Sequence, residues 1–303
     1  MGLKGQNFRI CTYDSTAGKY KVIGMATSCS VTLTNNTDNA TTKDDVGMAD
    51  KPTTVSKSWQ VSVESLSVAD AAAILTSIKS ATLFTLLWDE VSTTDNQTLE
   101  GETSSRIGKA YLNDVTFSFN DRENSTKSLQ FQGSGPLSTA SGTEATDVIA
   151  LGSYTKGQFV RLFLSGDNTA APATVIAAAK TLSLHVSTSL EASTTKDTTG
   201  DYEIYEPTAL TYDISTGALV KSYETITSQV ASKVLGDLED IYEAGTPVKW
   251  KIANTGGTNN RTASSTIVSG SAVLTQLTIN APNRQNADYT AQLNGYGDYT
   301  VSA

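Results

Sequence analysis

The residue types that carry most enzyme chemistry are scarce in this chain. It has one histidine, His185, and two cysteines, Cys11 and Cys29. One histidine and two cysteines do not make up the usual structural zinc sites. A Ser-His-Asp triad would have to use His185, yet strand alternation over 182–186 predicts that this side chain lies on the surface. The two cysteines are expected to stay reduced, as in a cytoplasm.

The glycine-rich and acidic stretches also lack the spacing that binding sites need. The glycines at 133–135 and 256–257 are not followed by the Lys-Ser/Thr pair of a phosphate-binding loop, so we interpret them as turn glycines. No serine stands in a Gly-x-Ser-x-Gly elbow. The acidic clusters at 44–45 and 237–240 do not have the spacing of a calcium loop, and 237–240 is expected to be a solvated helix end. We therefore predict a protein that is not an enzyme, with no catalytic residues, cofactor or metal.

Composition indicates a strand-rich protein with a polar surface. Of the 303 residues, 45 are Thr and 34 are Ser, whereas charged residues make up only 17%. Threonine favours strands because its Cβ is branched. The net charge of −9 argues against nucleic-acid binding, since an acidic surface repels phosphates. No apolar run reaches the roughly 18 residues of a membrane span, and neither a signal peptide nor a lipid anchor is expected.

Two blocks of the sequence recur in the same order. Residues 25–66 align with 178–219 at an offset of 153, with 9 identities in 42 positions. Residues 108–135 align with 270–297 at an offset of 162, with 9 identities in 28. A repeat this long predicts a domain duplication. The predicted parts are a first domain over 1–136, a linker over 137–153 and a second domain over 154–303.

Hydrophobic periodicity places strands and one helix in each predicted domain. The expected strands are 8–12, 19–23, 28–34, 58–65, 83–88, 108–120 and 129–133, then 159–164, 181–186, 211–215, 248–252, 271–280 and 288–294. The first helix is expected over 68–80, opened by a capping box from Ser67 to Asp70. The second is expected from about 222, with an apolar stripe of Tyr223, Ile226, Val230 and Val234. The predicted fold class is mainly β, with two β-sandwich or barrel domains, each covered by one α-helix.

Two long polar segments, 35–57 and 188–210, carry the centre of the first repeat block. We interpret them as exposed hairpins that a neighbour orders, because structureless loops of this length are usually functional. A variable solvated loop is the alternative. The shared centre consists of Thr42, Lys43 and Asp44 in the first segment and Thr195, Lys196 and Asp197 in the second.

These features together resemble the major tail tube proteins of long-tailed bacteriophages, in particular the lactococcal-siphophage type. The resemblance rests on the strand 26–33, the Thr-Lys-Asp centre, the run 58–63, the helix near 68–80 and the stretches 108–112 and 130–135. It is strongest in the first half. The signature and candidate assembly positions are Thr42, Lys43, Asp44, Trp59, Gly133, Gly135, Thr195, Lys196, Asp197, Tyr212, Gly295 and Gly297.

The resemblance implies a structural virion protein. Family members usually have one tube domain and form rings of six chains, so two domains imply a homotrimeric ring with pseudo-sixfold symmetry. Sheets would join edge to edge into a barrel, and segments 35–57 and 188–210 would contact the next ring. The implied partners are other copies and the tape measure, terminator and baseplate or tip proteins of a virion tail assembled in the host bacterial cytoplasm. DNA would pass the lumen without specific binding, and no membrane is involved.

Two other classes stay open at this point. The inner tube of a contractile injection or secretion system is a structural relative of the phage tail tube. A surface adhesin or carbohydrate-binding β-module would also be threonine-rich. That class would need a secretion signal and clustered exposed aromatic residues.

Overall fold

A computed structural model describes residues 5–45, 47, 49–66, 70–91, 105–140, 155–198, 200–220, 232–256 and 262–302. The protein is mainly β, as predicted, and its described part contains two α-helices. Neither of these helices is long and apolar enough to cross a membrane. We refer to residues 5–140 as the first half and to residues 155–302 as the second half.

The first half consists of eight strands, one α-helix and a short 3-10 helix at its start. The elements are Gly5–Asn7 (3-10), β1 (Phe8–Asp14), β2 (Lys19–Val22), β3 (Ala26–Asn39), β4 (Pro52–Ser65), α1 (Ala71–Lys79), β5 (Leu83–Glu90), β6 (Arg106–Ser118), β7 (Thr126–Gly133) and β8 (Ser138–Thr139).

The second half has a matching series of elements. They are Gly157–Phe159 (3-10), β9 (Val160–Leu164), β10 (Thr174–Ile176), β11 (Ala179–Ala192), β12 (Tyr205–Leu219), β13 (Ser232–Lys233), α2 (Leu235–Ala244), β14 (Val248–Asn254), β15 (Ser265–Asn280) and β16 (Asp288–Val301).

The two halves repeat one order of elements at the offsets found in the sequence. Strands β3 and β11 each have 14 residues, and their starts are 153 positions apart. Strands β7 and β16 start 162 positions apart. Four of the five described non-glycine residues with positive φ also correspond: Met25 (54°) with Ala178 (51°), and Arg122 (63°) with Arg284 (62°). Residues related in this way are called equivalent below.

All the described strands belong to one sheet that is continuous across both halves. Strand β6 is its branching point. One edge of β6 pairs with β7, which leads on to β4 and β3. The opposite edge pairs with β5 at Arg106–Tyr111 and with β11 of the second half at Asp114–Ser118. The largest apolar cluster likewise contains buried residues from both halves.

The long polar segments form hairpins, and this observation decides between the loop and the hairpin. Strands β3 and β4 remain paired out to Asn39 and Pro52. Strands β11 and β12 remain paired out to Ala192 and Tyr205. The Thr-Lys-Asp centres lie at the two tips, which are called the first and second tip below.

The first helix is confirmed. The prediction for the second is wrong at 232–234, where β13 and the N-cap of α2 lie, and its start near 222 falls outside the described residues. Helix α1 buries Ala71, Leu75 and Ile78. Its predicted capping box is not described, since 67–69 lie outside the described residues. Helix α2 begins only at Leu235, because the carboxylate of Asp237 accepts the backbone N–H of Val234 (2.9 Å) and fixes the start there. Residues 237–240 therefore lie inside the helix.

The predicted stripe of the second helix does not fall within α2. Three of its members, Tyr223, Ile226 and Val230, lie outside the described residues, and Val234 is the N-cap. The helix ends as predicted at Gly245, which adopts a left-handed conformation with φ 60°.

The start of the predicted linker belongs to the first half. Ser138 and Thr139 pair with Ile107 and Arg106 of β6, and Ala140 is buried. Residues 141–154 lie outside the described part of the chain, so the domain boundary stays a prediction.

Candidate assembly interface

The signature tryptophan lies in the core of the first half. Trp59 is 1% exposed and donates its Nε1–H to the carbonyl oxygen of Gly135 (3.0 Å). Its ring packs directly on the backbone of Gly108 and Gly133. A Cβ at Gly133 would lie only 2.1 Å from a ring atom. The ring of Trp88 lies 5.6 Å away. These glycines are therefore needed because the ring occupies the space that a side chain would fill.

Tyr212 repeats this arrangement in the second half. It is buried, and its hydroxyl donates to the carbonyl oxygen of Ser271 (2.6 Å). Gly270 and Gly295 face its ring, and Trp250 packs on it at 5.6 Å. The sequence predicts Trp59, Gly133, Tyr212 and Gly295 as assembly positions. Both aromatic rings are buried and pack within their own half, so the structure shows a stabilising role for them, and their part in assembly stays a prediction.

The remaining signature residues lie at the hairpin tips, in the bend after β7 (Gly135) and within β16 (Gly297). Thr42, Lys43 and Asp44 are exposed in the first tip, and Thr195, Lys196 and Asp197 are exposed in the second. Each tip is closed by a backbone turn, Asp45 N–H to Thr42 and Thr198 N–H to Thr195. Gly135 and Gly297 have positive φ, 89° and 70°, which favours glycine.

The tips differ in chemistry. In the first tip, Asp45 forms an ion pair with Lys51 and also accepts the backbone N–H of Thr42 (2.7 Å). The hydrogen bond from Lys51 holds the pKa of Asp45 below its usual range. In the second tip, the hydroxyl of Thr198 takes the equivalent position and accepts the N–H of Thr195 (3.0 Å).

The two halves meet at an interface whose strands the sequence did not predict, although the resemblance implied that sheets join edge to edge. We call it the joint. Its centre is the antiparallel pairing of Asp114–Ser118 in β6 with Ser183–Ser187 in β11. The inward side chains are buried on both strands, including Phe117 and Val186. The pairing covers strand edges that would otherwise present free N–H and C=O groups.

The joint continues beyond the end of β6. Phe119 and Leu182 exchange both backbone hydrogen bonds (2.7 and 3.2 Å), and the N–H of Asp121 reaches the carbonyl oxygen of Lys180 (2.7 Å). The backbone of Asn120 presses on Gly157, where a Cβ would lie 2.3 Å from the Asn120 oxygen. Gly157 therefore permits the close approach of the two halves.

His185 lies on the outer face of the joint, about one-third exposed, close to the predicted surface position. Its Nε2 is 2.7 Å from Asp114 of the first half, and its Nδ1 is 2.8 Å from Asp213 of β12. Burial alone would lower the pKa of His185. The hydrogen bonds to the two carboxylates outweigh burial and raise it above 6.5. When it is protonated, the ring links the halves by charge.

The segment just before β12, beside the second tip, contacts the first half. The backbone of Lys57 exchanges hydrogen bonds with Asp201 (2.7 Å) and Glu203 (3.0 Å). Glu203 accepts from Tyr205, from Ser56 (2.7 Å) and from Asn36 (3.0 Å). These hydrogen bonds lower the pKa of Glu203 and keep its carboxylate charged.

The turn after β7 completes this contact. The N–H of Gly135 donates to the carbonyl oxygen of Glu203 (2.8 Å), and the N–H of Tyr205 donates to Ser134 Oγ (3.0 Å). Gly135 is consequently buried. The joint thus has two parts, the strand pairing with its continuation and the hairpin contact.

Within the described ranges, no group of three or more His, Cys, Asp or Glu side chains is arranged to hold a metal ion. Both cysteines are free thiols. Burial raises the pKa of Cys11 to about 12, so this thiol is unreactive at neutral pH.

Comparison with known proteins gives partial likenesses only. No family model matches the chain, and no curated protein matches it. A chain from the tail of an empty gene transfer agent particle, refined helically with C6 symmetry, is 14% identical with a TM-score of 0.37 (48% of this chain, 95% of that chain). A chain from the virion of a native gene transfer agent particle is 12% identical with a TM-score of 0.36 (49% and 99%). The SPP1 tail tube is 15% identical with a TM-score of 0.34 (46% and 75%).

Proposed function

We propose that this chain is the major tail tube protein of a phage-like particle, a structural protein that polymerises as stacked rings. One observation carries the proposal: the two halves already join edge to edge in one sheet, and the outer edges of that sheet remain open. Among the described residues, β3 pairs only with β4, and residues 273–280 pair only with β16. Open edges of this kind present unpaired backbone N–H and C=O groups that can pair with a strand of another copy.

Three copies would form each ring. The shared order of elements, the offsets of 153 and 162 and the equivalent backbone conformations support a tandem duplication of one tube domain. A ring of six such domains then takes three chains, and its contacts are heterologous with a rotation that closes. The resemblance to lactococcal-siphophage tube proteins supports the same count.

The tips would connect successive rings. They are exposed and carry the Thr-Lys-Asp centres at the ends of hairpins. The finished tube would be a passage for DNA in a virion tail assembled in the host cytoplasm, with the tape measure, terminator and baseplate or tip proteins as partners. The net charge of −9 per copy would keep the wall from binding DNA.

Negative-stain electron microscopy and native mass spectrometry of the concentrated protein test this proposal. We expect hollow rings or tubes and a species of three times 32.0 kDa. A double variant with Lys43→Glu and Lys196→Glu should still form rings, but these rings should no longer stack into tubes. Lys109→Glu, an exposed lysine on β6, is the matched control and should still form tubes. Globular monomers under all conditions would reject the proposal, and rings of six copies would reject the trimer.

A further inference from the structure

An open groove runs beside β3 in the first half. It has a volume of about 720 Å³ and is lined by the 3-10 helix, β1 and the outer edge of β3. The equivalent place in the second half is almost closed, with about 10 Å³ left, because Phe119 and Asp121 of the first half line it. Four groove positions have the same residue type in both halves. Gly5 and Gly157, Gln6 and Gln158, and Arg9 and Arg161 are related by an offset of 152, and Ala26 and Ala179 by 153.

Among the described residues, the glycine in this groove has no close neighbour, unlike its counterpart in the second half. A Cβ at Gly157 would collide with the Asn120 backbone at 2.3 Å. A Cβ at Gly5 would meet no described atom within 4 Å. The absence of a side chain at Gly5 leaves space for a backbone that none of the described residues supplies.

Exposed apolar residues mark the two strand edges concerned. Leu33 on β3 is 64% exposed, whereas its equivalent in the joint, Val186, is 0% exposed. Ile279 on β15 is 48% exposed, whereas its equivalent, Phe117, is 1% exposed. Val186 and Phe117 are thus buried in the joint, whereas their equivalents Leu33 and Ile279 face solvent on open strand edges.

We infer that the groove beside β3 binds residues 276–283 of a second copy of this chain, in the register of the joint. The pairing of β11 with β6 in the joint is carried to the equivalent residues by the offsets of 153 and 162. Val31 then lies opposite Ile279, and Leu33 lies opposite Leu277. Beyond the strand, Cys29 and Ala281 exchange backbone hydrogen bonds, as Leu182 and Phe119 do. This inference rests on the proposed function and deepens it, because it assigns the surface through which copies join.

A second groove supports the same contact from the other copy. It has a volume of about 560 Å³ and lies between β12 and β16, lined by Leu210, Tyr212 and Gly297 among others. In the first half, the equivalents of Leu210 and Gly297 are Lys57 and Gly135, on which residues 201–205 lie. The segment around 50–52 of the neighbouring copy is equivalent to 203–205 and would occupy this groove.

Next to Gly297, strand β16 has an exposed aromatic side chain that is available for that contact. Tyr296 is 55% exposed, and its equivalent Ser134 binds the backbone of Tyr205 in the joint. Both grooves therefore predict one and the same interface, between the second half of one copy and the first half of the next.

Disulfide formation in the full-length protein tests the register. Ala281→Cys places a thiol opposite the native Cys29 on the same face of the sheet, at a Cα separation of about 5.5 Å that a disulfide spans. Mild oxidation should convert this variant into a ladder of covalent dimers and higher species on non-reducing gels. Cys11 does not compete, because it is fully buried.

The matched control is Asn280→Cys, because a shift of one residue turns the thiol to the opposite face. It should form at least tenfold less covalent dimer than Ala281→Cys. Equal cross-linking of the two variants, no cross-linking of Ala281→Cys, or a disulfide within a single chain would each overturn the inference.

Gly5→Ala provides a non-covalent test. It should leave the circular dichroism spectrum and the unfolding midpoint unchanged and weaken self-association at least tenfold in sedimentation. Gly157→Ala, the same change in the occupied pocket, should instead destabilise the monomer. A Gly5→Ala protein that associates like the wild type would contradict the proposed contact.

The two proposals fail in different ways. Rings or tubes in which the Ala281→Cys variant forms no disulfide with Cys29 would reject this register and leave the tube proposal standing. Efficient cross-linking into open chains, with no rings or tubes in micrographs, would support the contact and reject the tube.

Discussion

Replacing Asp70 should destabilise the first half. Among the described contacts of the buried Lys127, the carboxylate of Asp70 is the only compensating charge. The side chain of Lys127 is 0% exposed, and its Nζ lies 2.6 Å from both carboxylate oxygens of Asp70, at the start of α1. Asp70 makes no capping hydrogen bond with its side chain. Asp70→Asn therefore removes the charge and leaves the helix cap unaffected.

The expected loss is about 3 kcal/mol of unfolding free energy. Breaking a buried ion pair by removing one partner costs about 3–5 kcal/mol, and the lower end applies because Asp70 is half exposed. At an m-value of about 2–3 kcal/mol/M, the urea midpoint should fall by about 1–1.5 M. Tryptophan fluorescence reports this transition through Trp59 and Trp88, both in the core of the first half.

The second half shows how the same site is built without charge. Val234 takes the N-cap position of Asp70, and Tyr289, which is buried, takes the position of Lys127. The double variant Asp70→Val with Lys127→Tyr should therefore recover most of the loss, since a well-packed apolar pair often equals a buried ion pair. Asp121→Asn, which removes an exposed partner of Arg122, is the control and should cost less than about 0.5 kcal/mol.

Two results would refute this account of the Lys127 site. One is a destabilisation of less than about 1 kcal/mol for Asp70→Asn, which is within the range of ordinary surface and near-surface substitutions. The other is a double variant that is no more stable than Asp70→Asn alone.

Three further predictions concern the core and the joint. Gly133→Ala should cost about 2–3 kcal/mol, because its Cβ would overlap the Trp59 ring, and urea unfolding should show partial recovery when Trp59→Leu is added. The raised pKa of His185 stabilises the joint below pH 6.5, and this stabilisation is lost as the pH rises through the folded-state value. Between about pH 6 and 9 the wild type should therefore lose more stability than His185→Gln; parallel curves would contradict the charge link. Tyr299→Phe removes a hydrogen bond to the carbonyl oxygen of Leu75 (2.7 Å) and should lower the unfolding free energy, measured in urea, by about 1 kcal/mol. Amide hydrogen exchange in α1 should become faster. Unchanged exchange would argue against this link between the halves.

Local patterns in the sequence are enough to predict most strands and α1. An element that is buried on one face has apolar residues at the spacing of a strand or a helix, and this spacing is visible in the sequence. The second helix is misplaced for a related reason. Val234 fits a helical stripe by spacing, but the carboxylate of Asp237 fixes the helix start after it. Helical spacing alone does not reveal which backbone N–H groups a side chain caps.

The joint could not be predicted from the same patterns. Residues 114–118 and 183–187 alternate like any other strands, and nothing in that alternation says which edges meet. The repeat did contain a usable signal. Gly5 and Gly157 are identical across the halves, but only the structure shows that Gly157 faces a backbone and Gly5 faces space.

The unlike tips have a consequence for the angular order of a tube. In a ring of three copies, tips of the first and second kind alternate, one with the Asp45–Lys51 ion pair and the other with the hydroxyl of Thr198. Such a ring has only threefold symmetry, so a rotation by one-sixth of a turn exchanges the two kinds. Successive rings can then stack in two distinguishable ways: each tip lies above a tip of its own kind or above a tip of the other kind. The helical twist of the tube would show which of the two arrangements the tips favour.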